Sequence, residues 1–129
     1  MCYRRYSDYL RHRYGEKVYK LPVNLPVSCP NRDGNCGSGG CIFCGAAGAG
    51  FETLSSSRTV KDQIITNRNY IAPRYKAAKF IAYLQNFSNT YLPPETLQAY
   101  LAEACQPGIV ALAISTRPDC INDQCLALI

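Results

Sequence analysis

The sequence is poor in histidine and in long apolar runs. His12 is the only histidine among 129 residues, so a catalytic triad or a histidine-rich zinc site has little support. The N-terminal residues are mainly polar, arginine and tyrosine, and lack the apolar stretch that a secretory signal requires. No apolar run approaches the length needed to span a membrane. We therefore expect a cytoplasmic protein with no membrane partner and with His12 on its surface.

Cysteine is abundant by comparison, with eight in the chain. In a protein without an export signal, the reducing cytosol keeps thiols reduced, and clustered cysteines more often bind metal or do chemistry than form disulfides. Hydrophobic residues make up 47% of the chain and charged residues 18%, as in ordinary globular domains. Residues 1–129 are long enough for one domain.

Positive charge is concentrated near the N-terminus. The chain has 14 Lys and Arg against 9 Asp and Glu, a formal charge of +5, and many of these bases fall within the first twenty residues. Apolar and aromatic residues recur there at helical spacing and predict a basic helix over residues 1–16 with a buried stripe of Tyr3, Tyr6, Leu10 and Tyr14. Gly15 is predicted to stop this helix. The charge is compatible with an anionic partner such as RNA, but a solvated basic helix face explains it at least as well.

Strand and helix signals alternate along the rest of the chain. Apolar, β-branched segments predict strands over residues 18–23, 80–87 and 109–114. Pro22 suits an edge strand because it has no N–H to donate, and the continuous apolar run of the third strand suggests that it is covered on both faces. The helices are predicted to begin at Thr59, Pro93 and Asn122 or Asp123. Repeated βα units indicate an α/β fold with a parallel sheet.

The predicted sheet has open edges. Three βα units do not close a barrel, so the third strand would present an apolar edge. The last helix ends in Leu126, Leu128 and Ile129 without a cap or a charged tail. We therefore expect a fragment or a truncated product of a longer protein.

A glycine-rich loop predicted over residues 26–50 holds four cysteines close together: Cys29, Cys36, Cys41 and Cys44. That density indicates a metal site. Four thiolates would make a closed zinc site, although zinc ribbons usually use two close pairs and only Cys41 and Cys44 form one here. Cys29 with that pair would instead suit an iron–sulfur cluster. The spacing leaves both possibilities open, but the loop follows the first strand of a βα series, where such folds place their chemistry.

A resemblance to known proteins covers nearly the whole chain and rests on the segments Tyr14–Asn24, Cys29–Gly34, Gly39–Cys44, Phe80–Tyr83, Asn89–Tyr91 and Thr116–Cys120. In these segments the chain resembles a family of uncharacterised bacterial radical S-adenosylmethionine (SAM) proteins related to the Elongator catalytic subunit. It implies a partial (β/α) TIM-like barrel of the radical SAM type, truncated to about three βα units. Residues 1–129 would be the N-terminal part of that core domain.

The resemblance also implies a cofactor and a reaction. Cys29, Cys41 and Cys44 match the family's three ligands to a 4Fe-4S cluster, whose remaining iron binds the amine and carboxylate of SAM. Reductive cleavage of SAM would give a 5′-deoxyadenosyl radical that abstracts hydrogen from an unknown substrate. Cys36 has no counterpart among the ligands and is interpreted as a spare thiol.

Further positions are assigned to SAM by the same resemblance. Phe43 matches an aromatic residue that borders the adenine, while Gln85, Arg117 and Asp119 follow the second and third strands toward SAM. The simpler interpretations are a polar loop at Gln85 and a turn built on Pro118 with an ordinary ion pair. The implied partners are an electron donor such as flavodoxin or ferredoxin and, by analogy of fold, RNA.

Two other hypotheses remain open: a zinc-binding, cysteine-rich RNA-binding module, and an inactive fragment that still binds a cluster. The scattered cysteines are interpreted as small buried hydrophobes or free thiols, namely Cys2, Cys105, Cys120 and Cys125. No catalytic residue is assigned.

Overall fold

The computed structural model describes residues 2–46 and 53–129 of the chain. Its elements in chain order are α1 (Tyr6–Tyr14), β1 (Val18–Val23), α2 (Val60–Tyr75), β2 (Lys79–Leu84), α3 (Pro94–Ala104), β3 (Ile109–Ile114) and α4 (Asp123–Leu128), with a 3-10 turn at Pro118–Cys120. None of the helices in these two segments is long and apolar enough to cross a membrane.

The three strands form a parallel sheet in the order β1, β2, β3. The register pairs Val23 with Leu84 and Leu84 with Ile114, so the strands end level with one another. The prediction of an α/β fold with a parallel sheet is confirmed. Pro22 lies in an outer strand of the described sheet, as expected. The segments that follow the three strands therefore all start at the edge of the sheet formed by the carboxyl ends of the strands.

The larger core lies between the sheet and the helices α2 and α3. Its most buried side chains include Leu21, Val23, Ile64, Phe80, Leu84 and Leu97. A smaller cluster on the opposite face joins Leu10 of α1 to Val18 and Ile81 of the sheet. Alternate residues of each strand point to opposite faces, so both faces carry apolar side chains and α1 covers only part of the second face.

Helix boundaries follow local hydrogen bonding. Thr59 Oγ1 accepts from the amide of Asp62 at 3.1 Å, and Asn122 Oδ1 accepts from the amide of Cys125 at 2.8 Å. Each oxygen satisfies an N–H that has no acceptor within its own helix. Gly15 ends α1 in the left-handed conformation, with φ of 78°. The predicted starts of α2 and α4 and the end of α1 are thus confirmed.

The aromatic stripe predicted for the N-terminal helix is wrong. α1 begins at Tyr6, so Tyr3 lies outside it, and these two side chains are 65% and 70% exposed. Only Leu10 is buried, because α1 meets the sheet over a short stretch. Tyr6 stacks instead on Tyr9, with ring centroids 6.0 Å apart. His12 is exposed, as expected.

Two strand predictions also need correction. β2 ends at Leu84 and does not reach Phe87, because Phe87 has a left-handed φ of 60°, which a strand does not accommodate. β3 is not covered on both faces: every residue of Ile109–Ile114 is half-buried, since β3 is an outer strand of the described sheet. The expected apolar edge is therefore present in the described residues. Pro73 lies in the last turn of α2, close to its end at Tyr75.

A buried glutamine joins α2 to the point where the chain leaves β1. Gln63 is fully buried. Its Oε1 accepts from the amide of Asn24 at 2.8 Å, and its Nε2 donates to the carbonyls of Asn24 and Arg58 at 2.9 and 3.0 Å. Buried polar groups need such partners. Gln63 thereby fixes the direction in which the chain enters the cysteine loop.

The substitution Gln63→Leu keeps a side chain of similar volume and removes all three hydrogen bonds, which leaves backbone groups of Asn24 unpaired. We expect the free energy of unfolding to fall by about 2 kcal/mol, measured by urea denaturation followed by circular dichroism. Gln98→Leu, on the exposed surface of α3, is the matched control and should change it by less than about 0.5 kcal/mol. Equal losses in the two variants would contradict the structural role of Gln63.

Candidate functional site

The cysteine loop turns back on itself soon after β1. The carbonyl of Cys29 accepts from the amides of Arg32 and Asp33 at 2.8 and 3.2 Å, which closes a tight turn. Asp33 and Ser38 then form an isolated antiparallel bridge, so the middle of the loop is a small hairpin. Residues 47–50 of the predicted loop lie outside the described residues.

Asn31 joins two of the predicted metal ligands. Its carbonyl accepts from the amide of Gly40 at 2.9 Å, which brings the end of the hairpin back to its beginning. Its side-chain Nδ2 donates to Cys41 Sγ at 3.3 Å, and its backbone N–H donates to the Cys29 thiol. Cys29 and Cys41 therefore share one donor residue, although they lie in separate turns of the loop.

Residues that follow β2 and β3 complete the surroundings of Cys29. The Ser88 hydroxyl donates to Cys29 Sγ at 3.6 Å, and the Arg117 side chain reaches the same thiol. Burial disfavours the charged thiolate, but the contacts from Asn31, Ser88 and Arg117 outweigh it, so the pKa of Cys29 lies below its ordinary value. A thiolate is the form of cysteine that binds metals.

Arg117 and Asp119, both predicted to contact SAM, pair with each other. Arg117 Nε and Nη2 donate to Asp119 Oδ1 and Oδ2, each at 2.8 Å, which is the bidentate geometry of a strong ion pair. The guanidinium lowers the pKa of Asp119. The turn with an ion pair is therefore present, and it stands beside Cys29. The roles of both residues toward SAM stay predictions.

The other two predicted SAM contacts occupy different surroundings. Gln85 directly follows β2 and is half-buried, and its backbone N–H donates to the backbone carbonyl of Val23 at 3.3 Å. It thus lies at the sheet edge from which the cysteine loop starts. Phe43 is 87% exposed, on the outer surface of the loop. The roles of Gln85 and Phe43 toward SAM stay predictions.

The thiols fit an iron–sulfur group in their chemistry. All eight cysteines are free, with Cys29, Cys41 and Cys44 half-buried and Cys36 exposed. Within residues 2–46 and 53–129, no three Cys, His, Asp or Glu side chains lie close enough together to hold one metal ion, so the three thiols would have to draw together around a cluster. Two of the three sulfurs already accept N–H donors, which is how proteins hold and tune such clusters.

Sequence reasoning does not identify Asn31 or Cys120 as part of this site. Asn31 could have been found from its place in the Cys-Pro-Asn turn, two residues after a candidate ligand. Cys120 is half-buried beside Ser88, and burial, reinforced by the Asp119 carboxylate, raises its pKa. Its signal in the sequence is its position just after β3, at the edge that also carries Cys29.

Comparison with known proteins finds relatives without an assigned function. The chain is 38% identical over 127 residues to the uncharacterized protein YtqA of Bacillus subtilis, a match that covers 95% of this chain and 38% of that protein. It is 37% identical over 121 residues to protein YhcC of Escherichia coli, covering 93% of this chain and 38% of that protein.

A more distant relative is the uncharacterized protein MJ0486 of Methanocaldococcus jannaschii, 30% identical over 129 residues, with 97% of this chain and 38% of that protein covered. The chain thus spans about 38% of the length of the curated relatives it matches. No protein-family model and no solved structure matches the chain.

The substitution Ser88→Ala removes the hydroxyl that donates to Cys29 and changes no charge. The pKa of Cys29 should rise toward its ordinary value, so that less thiolate is present at pH 7 and alkylation of Cys29 slows by about threefold. Iodoacetamide labelling of the reduced, metal-free chain over a pH series, quantified by mass spectrometry of the Cys29 peptide, measures this rate.

The matched control for that experiment is Ser57→Ala, because the Ser57 hydroxyl bonds Ser55 on the surface at 2.9 Å. It should leave the Cys29 alkylation rate unchanged. If Ser88→Ala also leaves the rate unchanged, Ser88 does not stabilise the thiolate.

Proposed function

We propose that this chain is the N-terminal part of a radical SAM enzyme in which Cys29, Cys41 and Cys44 bind a 4Fe-4S cluster. The observation that carries the proposal is the shared donor Asn31, which contacts Cys29 through its backbone and Cys41 through its side chain. Thiols are weak acceptors, so these donors contribute little unless the sulfurs carry charge. Thiolates bound to iron carry that charge, and hydrogen bonds to them set the potential of the cluster.

The number of ligands favours SAM chemistry over a closed zinc site. Three thiolates would leave one iron free for the amine and carboxylate of SAM, and the cluster would supply the electron for reductive cleavage of SAM. Cys36 is exposed, whereas Cys29, Cys41 and Cys44 are all half-buried. This asymmetry among the four cysteines supports a three-ligand site.

The chain's own residues would hold and orient these groups. Ser88 and Arg117 lower the pKa of Cys29, while Asp119 fixes the direction of the guanidinium through two bonds. Phe43 and Gln85 complete the set proposed to contact SAM. An exposed aromatic such as Phe43 gains from covering the adenine, because that contact removes its ring from water.

The partial barrel belongs to the same proposal. Three parallel strands with level ends match the start of a (β/α) barrel, whose functional residues come from the carboxyl ends of its strands. In the described sheet β3 has a strand on one side only, so the backbone groups on its other side are available to pair with a fourth strand. The greater length of the relatives is compatible with such a continuation.

The proposed reaction needs partners that this chain does not supply. A one-electron donor such as flavodoxin or ferredoxin would reduce the cluster. RNA is the proposed partner for the basic N-terminal region, where the exposed tyrosines of α1 lie among arginines. Stacking on tyrosine and contact of arginine with phosphate are the two components of single-stranded RNA binding.

Anaerobic reconstitution with iron and sulfide tests the cluster. We expect brown iron–sulfur absorption and about four irons per chain, because three thiolates suffice to hold a 4Fe-4S cluster. Separate Ala substitutions of Cys29, Cys41 and Cys44 should each abolish it, while Cys36→Ala, the matched control, should retain it. One equivalent of zinc with no iron would establish the zinc-binding module instead. Loss of the cluster in Cys36→Ala but not in Cys29→Ala would overturn the ligand assignment.

Reduction of the reconstituted chain in the presence of SAM tests the reaction. We expect release of 5′-deoxyadenosine and methionine, measured by liquid chromatography, because the proposed three-ligand site leaves an iron open to SAM. The Cys36→Ala variant should behave like the parent chain. A fully loaded cluster that releases no 5′-deoxyadenosine would identify the chain as an inactive cluster-binding fragment.

A further inference from the structure

Arg32 connects the two ends of the cysteine loop. Its backbone amide bonds the carbonyl of Cys29 at 2.8 Å. Its guanidinium Nη2 donates to the carbonyls of Cys44 and Gly45 at 3.2 and 2.5 Å. A single residue therefore contacts the turn of the first predicted ligand and the turn of the last one.

The guanidinium is held between two surfaces. Its Cζ atom lies 4.9 Å from the centroid of the Phe87 ring, a cation–π distance. A Cβ atom built on Gly40 would lie 2.9 Å from Arg32 Nε, and Gly40 has a φ of +82°. Any side chain at Gly40 would both strain the backbone and displace the guanidinium. The Arg32 guanidinium thus packs between the Phe87 ring and the backbone at Gly40, which carries no side chain.

Phe87, which makes this contact, has an unfavourable backbone conformation. Its φ of 60° places it in the left-handed region, which is rare for an aromatic residue. Neighbouring bonds fix that conformation, because the amide of Ser88 donates to the carbonyl of Ser28 at 3.3 Å and Asn86 and Ser88 are buried. Strained residues that the surroundings hold in place tend to occur at functional sites.

We propose that Arg32, held against Phe87 and Gly40, is a positioning residue that sets the place of the Cys41–Cys44 turn relative to Cys29 before any metal binds. The contacts of Arg32 exist in the metal-free chain, so only the purpose that we give them rests on the proposed cluster site. A preset turn lowers the conformational entropy lost when three thiols converge on one group. An arginine suits this role because its planar guanidinium can donate to two adjacent carbonyls while it stacks on an aromatic ring.

Hydrogen exchange of the full metal-free chain, followed by mass spectrometry, tests the preset turn. In Arg32→Lys, which keeps the charge and loses the fork, we expect amides of residues 41–45 to exchange about tenfold faster. Phe87→Leu should accelerate the same amides to a smaller extent. Arg58→Lys is the matched control, because Arg58 makes a surface ion pair with Asp62 at 3.3 Å, and it should leave them unchanged.

Cluster loading separates this proposal from the one on which it rests. If the parent chain takes up iron, Arg32→Lys should lose it to a chelator about tenfold faster than Arg58→Lys. If the parent chain takes up no iron but Arg32→Lys still loosens residues 41–45, the positioning role stands and the cluster proposal fails. Equal exchange of these residues in Arg32→Lys and in the parent chain would overturn the positioning role, whatever the iron content.

Discussion

Three parallel strands that end level with one another bring the predicted ligand Cys29 together with the residues that follow β2 and β3. Because Val23, Leu84 and Ile114 are neighbours in the register, the backbone continues the pairing past the strands. The amide of Ser115 donates to the carbonyl of Leu84 at 2.9 Å, and the amide of Asn89 to the carbonyl of Ser115 at 3.0 Å. These bonds hold the loops after β2 and β3 beside the start of the cysteine loop, so a thiol, a hydroxyl and a guanidinium from three distant segments meet.

The charges at this edge suit anionic sulfur. Arg117 touches Cys29, and Arg32 approaches the turn of Cys44 through backbone carbonyls. Positive charge next to a thiol stabilises its thiolate, and N–H donors share the remaining negative charge. Asp119 partly neutralises Arg117, but the two parallel bonds between them also remove the rotational freedom of the guanidinium. The edge thus combines attraction for anions with fixed geometry.

Local signals in the sequence predict most of the elements but few of the contacts at the site. The Thr59 and Asn122 caps and the stop at Gly15 depend on residues within four positions, and all three could be inferred. The contact between Ser88 and Cys29 joins residues 59 positions apart, so it follows only from the sheet register. Phe87 is predicted as the end of the second strand, whereas its left-handed φ of 60° and the bond from the Ser88 amide to the Ser28 carbonyl place it in a turn. Tyr3 and Tyr6 fit a helical stripe, but no part of the described sheet reaches them.

Cluster binding and catalysis place different demands on the fold. Each contact that arranges the predicted ligands comes from residues within the three βα units, chiefly Asn31, Arg32, Ser88 and Arg117. None of these contacts needs a closed barrel. Hydrogen abstraction by a radical, however, needs a site from which water and stray hydrogen donors are excluded. Because β3 is only half-buried and Phe43 is exposed, solvent reaches the end of the described sheet from which the cysteine loop starts. The cysteine loop is therefore organised locally, whereas enclosure of the proposed radical reaction would depend on what covers β3.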